Sequence, residues 1–162
     1  MAKKTSDGVA LRGFFRVQVK DGNKVVGDSG FRENTVTNLG INQYLVNWIL
    51  GDTGNAKSVT YMALGTGGTA AVTDTSLSGE VGDTSAGRAA VSTSVVSSKT
   101  AQFTAAFNSA NSFITASKNI SNVGLFNTST TAAGTMFAGN TFASSSVATN
   151  QSVQVTYQIR IS

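Results

Sequence analysis

The chain contains no histidine and no cysteine. The commonest general base, the commonest transition-metal ligand and the thiolate nucleophile are therefore missing together. What is left for catalysis is a carboxylate pair or a serine activated by lysine. No Ser-x-x-Lys occurs, because the residues three before Lys20, Lys24, Lys57, Lys99 and Lys118 are Val17, Asp21, Gly54, Val96 and Thr115. Asp74, Glu80 and Asp83 are close enough in sequence to be gathered as a glycosidase-like pair or a structural cation site. They fall in a stretch that reads as flexible, whereas catalytic carboxylates need rigid support. The sequence thus assigns no catalytic residue, no metal ligand, no cofactor-binding residue and no cofactor, and the chain reads as a non-enzyme.

A second pattern concerns phosphate. Gly65, Gly67 and Ala70 in "YMALGTGGTAAVTDTSLSGEV" have the G-x-G-x-x-A spacing of a dinucleotide loop. That fingerprint needs a strand before it and a helix after it. "SVTYMAL" suits a strand, but "TAAVTDTSLSGEVGDTSAG" has no apolar residues at helical spacing and offers no helix N-terminus to a phosphate. The segment reads as a flexible connection. "GDTGNAKS" fails as a phosphate loop for a similar reason, with Ala56 in place of the glycine before Lys57.

Twelve Lys and Arg against eight Asp and Glu leave a net charge of +4, and the sequence pI is about 9.6. The positive residues concentrate only at Lys3 and Lys4 and along "LRGFFRVQVK", where Arg12, Phe14, Arg16 and Lys20 alternate on one strand face. Lys3, Lys4, Arg12, Arg16 and Lys20 are the candidate partner contacts. They lack the dense, aromatic-interleaved stripe of a nucleic-acid binder, so nucleic acid is not the expected partner.

The elements that must carry these residues are strands. Charged residues are only 12% of the chain, Ser and Thr together number 41, and there are 17 glycines and no proline. This composition fits an all-β protein with many turns, whose sheet edges are protected by something other than proline. Residues 1–7 read as a polar, mobile arm, and 8–162 as one β-sandwich or jelly-roll domain with one short α-helix packed on it. Leu11, Phe15, Val17 and Val19 share one face of a first strand, and "KDGNK" turns it into a hairpin. In "SVQVTYQIRIS" the alternation is complete, with Val153, Val155, Tyr157, Ile159 and Ile161 opposed to Gln154, Thr156, Gln158 and Arg160. "RAAVSTSVV" and "KTAQFTAAF" form a second hairpin around Ser97-Ser98, and "GTMFAGNTFASSSV" reads as two short strands joined near Gly139-Asn140.

"TNLGINQYLVNWILG" is the one helical pattern, with Ile41, Leu45, Trp48 and Ile49 as a core-facing stripe, Asn38 as N-cap and Gly51 closing the end. No apolar run reaches the length of a membrane span and "MAKKTSDG" lacks a secretory signal's apolar stretch, so the expectation is a soluble protein made in a cytoplasm with no membrane partner.

The order of segments resembles a family of small virion structural proteins of tailed bacteriophages. "NLGINQYLVNWILG", "VTYMALGTGGTAAVTDTSLSGEV", an arginine, two polar strands, "NISNVGLFN", "GTMFAGNTF" and an alternating final strand carry it, over residues 35–162. Members often have proline after the threonines and an acidic residue before GLF, where this chain has Ala70-Ala71 and Asn122. The resemblance implies a β-sandwich that decorates or cements the outside of a capsid, partnered with the major capsid protein and itself a homo-oligomer, plausibly a trimer. Its alternative is a tail or fibre component for host recognition, which would present an aromatic or acidic glycan site at its loop tips. With the only Trp placed in the helix stripe, the sequence favours the capsid role and a virion location.

Overall fold

Period-two alternation places Phe15, Val17 and Val19 on one face of β1 (Leu11–Asp21) and Val153, Val155, Tyr157 and Ile159 on one face of β10 (Ser152–Ile161). In the computed structural model, which describes residues 10–162, these strands pair antiparallel along almost their whole length, Leu11 opposite Ile161 and Lys20 opposite Ser152. The remaining strands are β2 (Lys24–Asp28), β3 (Arg32–Val36), β4 (Tyr61–Gly65), β5 (Arg88–Ala90), β6 (Ser92–Ser97), β7 (Thr100–Phe107), β8 (Lys118–Phe126) and β9 (Met136–Val147).

Neighbours run β5-β4-β8-β9-β3-β1-β10-β7-β6, with β2 paired to β1 beside this path. The protein is all-β, a sandwich of two antiparallel sheets joined into a nearly closed barrel. β3 joins the sheets on one side: Arg32, Glu33 and Asn34 pair with β1, while Thr35 and Val36 pair with β9. On the other side β5 lies on β4 and β6 on β7, with only Val91 between them. This near-closure leaves a proline-free chain few edges to guard, the outer edge of β6 being one that stays open.

The core lies between the sheets. Phe15 stacks on Tyr157 with ring centroids 5.9 Å apart and meets Phe142 edge-on at 6.1 Å. Tyr157 is fully buried, its hydroxyl accepts from Asn34 Nδ2, and burial pushes its phenol well above the usual pKa. The predicted hairpin forms at Gly22-Asn23, where Gly22 supplies the positive φ.

Two expectations are corrected. Met136–Val147 is one strand, not two, and its register shifts against β8 between Ile120 and Asn122. Gly139 and Asn140 are inside the strand because β8 and β3 both pair there. The helix is short and mixed, π-helical over Gly40–Val46 with one α-turn over Asn47–Ile49. Its cap is Thr37, whose hydroxyl accepts from Gly40 N–H at 2.9 Å and donates to Met136 O at 2.6 Å, and not Asn38. Gly51, at φ +70°, ends the helical stretch as expected.

Candidate functional site

The outer face of β1 brings the predicted basic residues together. Arg12, Phe14, Arg16 and Lys20 project from it, opposite Arg160, Gln158, Thr156 and Ser152 of β10. Their charges are partly spent inside the sheet. Arg16 grips Asp28 through Nη2 at 2.5 Å and Nε at 2.9 Å, and that contact, followed by the Gly30 N–H, holds the Asp28 carboxyl well below the usual range. Arg12 lies 3.7 Å from Glu33 with both side chains in solvent. Lys20 donates to Gln154 Oε1, and the Arg160 guanidinium lies over the Phe14 ring at 4.3 Å. A chain of hydrogen bonds, from Arg160 Nη2 to Gln158 Oε1 at 2.7 Å and from Gln158 Nε2 to Gln102 Oε1 at 2.9 Å, extends the polar face onto β7. The face is therefore amide-rich and mildly basic. Lys3, Lys4 and the predicted arm over residues 1–7 lie outside the described residues.

The three carboxylates of the proposed acid or cation set do not converge. Asp74 accepts from the Ala71 N–H at 2.8 Å. Asp83 is paired with Lys118 at 3.1 Å and bonded by Thr115, and Lys118 first among these contacts lowers its pKa. Glu80 is buried against Arg88, at 2.5 Å and 2.9 Å. Among the described residues no group of three potential metal ligands comes together.

The glycine segment is likewise not a flexible connection. Residues 66–87 fold onto β4 and cover the outer face of the β4-β8-β9 sheet, where Ala70 and Leu77 close over Ala63, Phe126 and Met136. Thr66 N–H donates to Gly79 O at 2.9 Å and Val81 N–H to Leu64 O at 2.8 Å, so the returning chain prolongs the sheet beside β4. The spacing of Gly65 and Gly67 follows from this contact. A Cβ at Gly65 would overlap the Asn122 side chain, and one at Gly67 would overlap the Ser78 carbonyl. Asn122, fully buried, donates through Nδ2 to Ser78 O at 2.8 Å and Gly68 O at 3.3 Å.

Arg88 locks the arrangement. Its side chain is completely buried, lies over the Phe126 ring at 3.7 Å, and donates to Glu80, Thr128 O and Ala133 O. Glu80 also accepts from Ala132 N–H. One ion pair thus ties residues 66–87 to the loop over 127–135. Nothing local in the sequence pairs Arg88 with Glu80, and only their opposite charges beside an apolar strand could have suggested it.

At one end of the barrel the helix leaves its apolar residues in water. Tyr44 is its one buried large side chain, packed edge-on to Phe137 at 5.0 Å and donating to Thr135 O at 2.5 Å, and burial raises its phenol pKa. Gly40 permits this approach, since a Cβ there would overlap the Phe137 carbonyl. Trp48, Ile49 and Leu50 are 72%, 72% and 73% exposed, so the predicted core stripe is overturned. The physical reason is the π-helical winding, whose wider turn carries Trp48 off the face that it would share with Ile41 in an α-helix and leaves Tyr44 as the inward residue. A signal was present in "WIL": three successive apolar residues spread over more than half of a helix circumference and cannot all face one sheet.

Two cavities flank this helix. An apolar groove of about 380 Å³ lies between Leu45, Val59, Phe103, Phe137, Ile159 and Ile161. A polar cavity of about 400 Å³ is lined by Asn42, Gln43, Asn47, Asp52, Asn55 and Lys57. Among the described residues no helix is long and apolar enough to cross a membrane. No protein-family model, curated protein or solved structure matches this chain.

Proposed function

We propose that this chain is a structural protein of a bacteriophage virion, a cement or decoration protein that binds the outside of an assembled shell and stabilises it. The observation that carries the reading is how its polar groups are used. The side chains with chemical potential are consumed by internal bonds, as in Arg88–Glu80 and Asp83–Lys118. The surfaces left over are broad: a sheet face bearing Arg12, Arg16, Lys20 and Arg160, and an apolar barrel end. Such a molecule acts by shape and contact area. The ordered series of segments resembling phage virion proteins supports the same reading. Attachment works by avidity, with a homo-oligomer making several weak contacts at once to the major capsid protein. Neither nucleic acid nor membrane has a role in it.

The test is to add the purified protein to expanded empty capsids of its phage. Added density on the shell and a higher capsid melting temperature are expected. Substituting Arg12 and Lys20 together by Glu should weaken attachment without changing the fold, because both side chains lie on the outer face. Capsids with neither added density nor a stability gain would overturn the proposal.

One observation favours a second reading, a tail or fibre module that recognises a host glycan. Trp48 is exposed, and its neighbour Asn47 lines the polar cavity with Asn42, Gln43, Asp52, Asn55 and Lys57. An aromatic platform beside amides and a carboxylate is a common way to hold a sugar ring. Glycan-array binding lost in Asn47→Ala and Trp48→Ala, with the chain located on the tail, would establish this reading in place of the first.

A further inference from the structure

We infer that the end of the barrel carrying Leu45, Trp48, Ile161 and Val95 is the surface through which this chain associates with further copies of itself. The inference rests on the homo-oligomer in the reading above and names its interface.

Two independent features meet at this end. The first is apolar area. Trp48, Ile49, Leu50, Val95, Val96 and Ile161 are between 45% and 80% exposed. The groove links Leu45, three residues before Trp48 in the same helix, to the sheet, because Ala101, Ile159 and Ile161 line both it and the neighbouring hollow that reaches Val95. Exposed together, such side chains add several hundred Å², the same order as the roughly 800 Å² each partner contributes to a standard stable interface. A patch of this order matches the largest found on typical soluble monomers, which is often a functional surface.

The second feature is a bare strand edge. Among the described residues β6 pairs with β7 on one side and with no strand on the other, and every one of its residues is exposed. Its sequence, STSVVS, has no charge and no proline, the usual guards against strand addition.

A second copy fits better than an unrelated partner. The same edge and the same patch occur on each copy, so one contact of like with like covers both at once. Backbone pairing along β6 supplies the polar bonds and fixes the register, while the aromatic and aliphatic side chains supply the apolar centre that permanent same-chain interfaces favour. Among the described residues only Lys57 and Lys99 bring charge to the rim of the two hollows, so repulsion between them is small.

Sedimentation of the full chain at micromolar concentration tests this. The expected result is a dimer that dissociates at least about tenfold more readily in Trp48→Asp and in Val95→Lys, as removal of a central contact does. Both positions are exposed, and unchanged circular dichroism checks that the fold persists. Val26→Lys, an exposed apolar position on β2, which pairs with the opposite end of β1, should leave the assembly intact. An oligomer indifferent to both Trp48→Asp and Val95→Lys would overturn this interface and leave the homo-oligomer standing. A wild-type monomer would overturn both.

Discussion

Residues 66–87 and the helix at Gly40–Ile49 occupy opposite conditions in one molecule. The first is a Ser-, Thr- and Gly-rich segment with no helix and no named strand, yet Ala70, Leu77, Val81 and Glu80 are buried in it. The second is rich in large apolar residues, yet it touches the barrel chiefly through Gly40 and Tyr44 and holds Trp48 in solvent. What separates them is the accounting of polar groups. The loop can be buried because β4, Asn122 and Arg88 satisfy its backbone and its carboxylate. The helix satisfies its own backbone and so needs no cover, and its apolar side chains are left available to another molecule.

The largest effect is expected where the loop is locked. Arg88→Ala should cost about 3 to 5 kcal/mol, because it strands the Glu80 carboxylate in a buried site and removes the donors to Thr128 O and Ala133 O. Urea melts measure it. A cost below about 1 kcal/mol would mean that the loop opens freely and that the contrast with the helix is false.

Asn122→Asp comes next. Its Nδ2 donors to Ser78 O and Gly68 O would be replaced by a buried carboxylate facing two carbonyls, at a cost of about 2 to 3 kcal/mol. The loss should shrink in acid, where the new carboxyl is protonated. Equal stability at pH 7 and pH 4 would show that the side chain has turned to water.

The helix has its own anchor to test. Burial raises the phenol pKa of Tyr44 in the folded state, so the folded chain keeps a proton that the unfolded chain loses above about pH 10. The stability of that contact is fully present below about pH 10 and disappears as pH rises further toward the folded value. Tyr44→Phe should cost about 1 kcal/mol at neutral pH through the lost bond to Thr135 O, and should flatten part of the alkaline decline. Tyr157, also raised by burial, carries the rest. An alkaline limb of the urea midpoint that is identical in Tyr44→Phe would remove Tyr44 from this account.

The smallest effect on the monomer belongs to Trp48. At concentrations low enough to keep copies apart, Trp48→Ala should change stability by less than about 0.5 kcal/mol, against the 3 to 5 kcal/mol of a buried indole. Native emission should be red-shifted and quenched by iodide. Blue-shifted, protected emission under the same dilution would restore the helix stripe to the core.

How much of this was legible depends on how local the cause is. Phe15, Val17 and Val19 alternate with Arg16, Gln18 and Lys20 because one face of β1 meets the core and the other meets water, so both strand and register could be read. β4 and β8 have cover on both faces, and "YMAL" and "VGLF" show plain apolar runs that do not say which face is core. The basic row at Arg12, Arg16 and Lys20 was legible as a shared face, but its partner Asp28 depended on where β2 returned.

By itself the sequence determined the all-β class, the first and last strands with their inward faces, the turn at Gly22 and the absence of imidazole and thiol chemistry. Each follows from residue type or from a period of two, which the chain carries wherever it lies. Only the tertiary structure decided that a polar loop covers a sheet, that Glu80 belongs to Arg88, that β9 runs unbroken through Gly139 and that Trp48 faces out. These depend on which segments meet across the fold. Burial of a polar loop or an ion pair requires partners from distant positions, and no local pattern records whether those partners arrive.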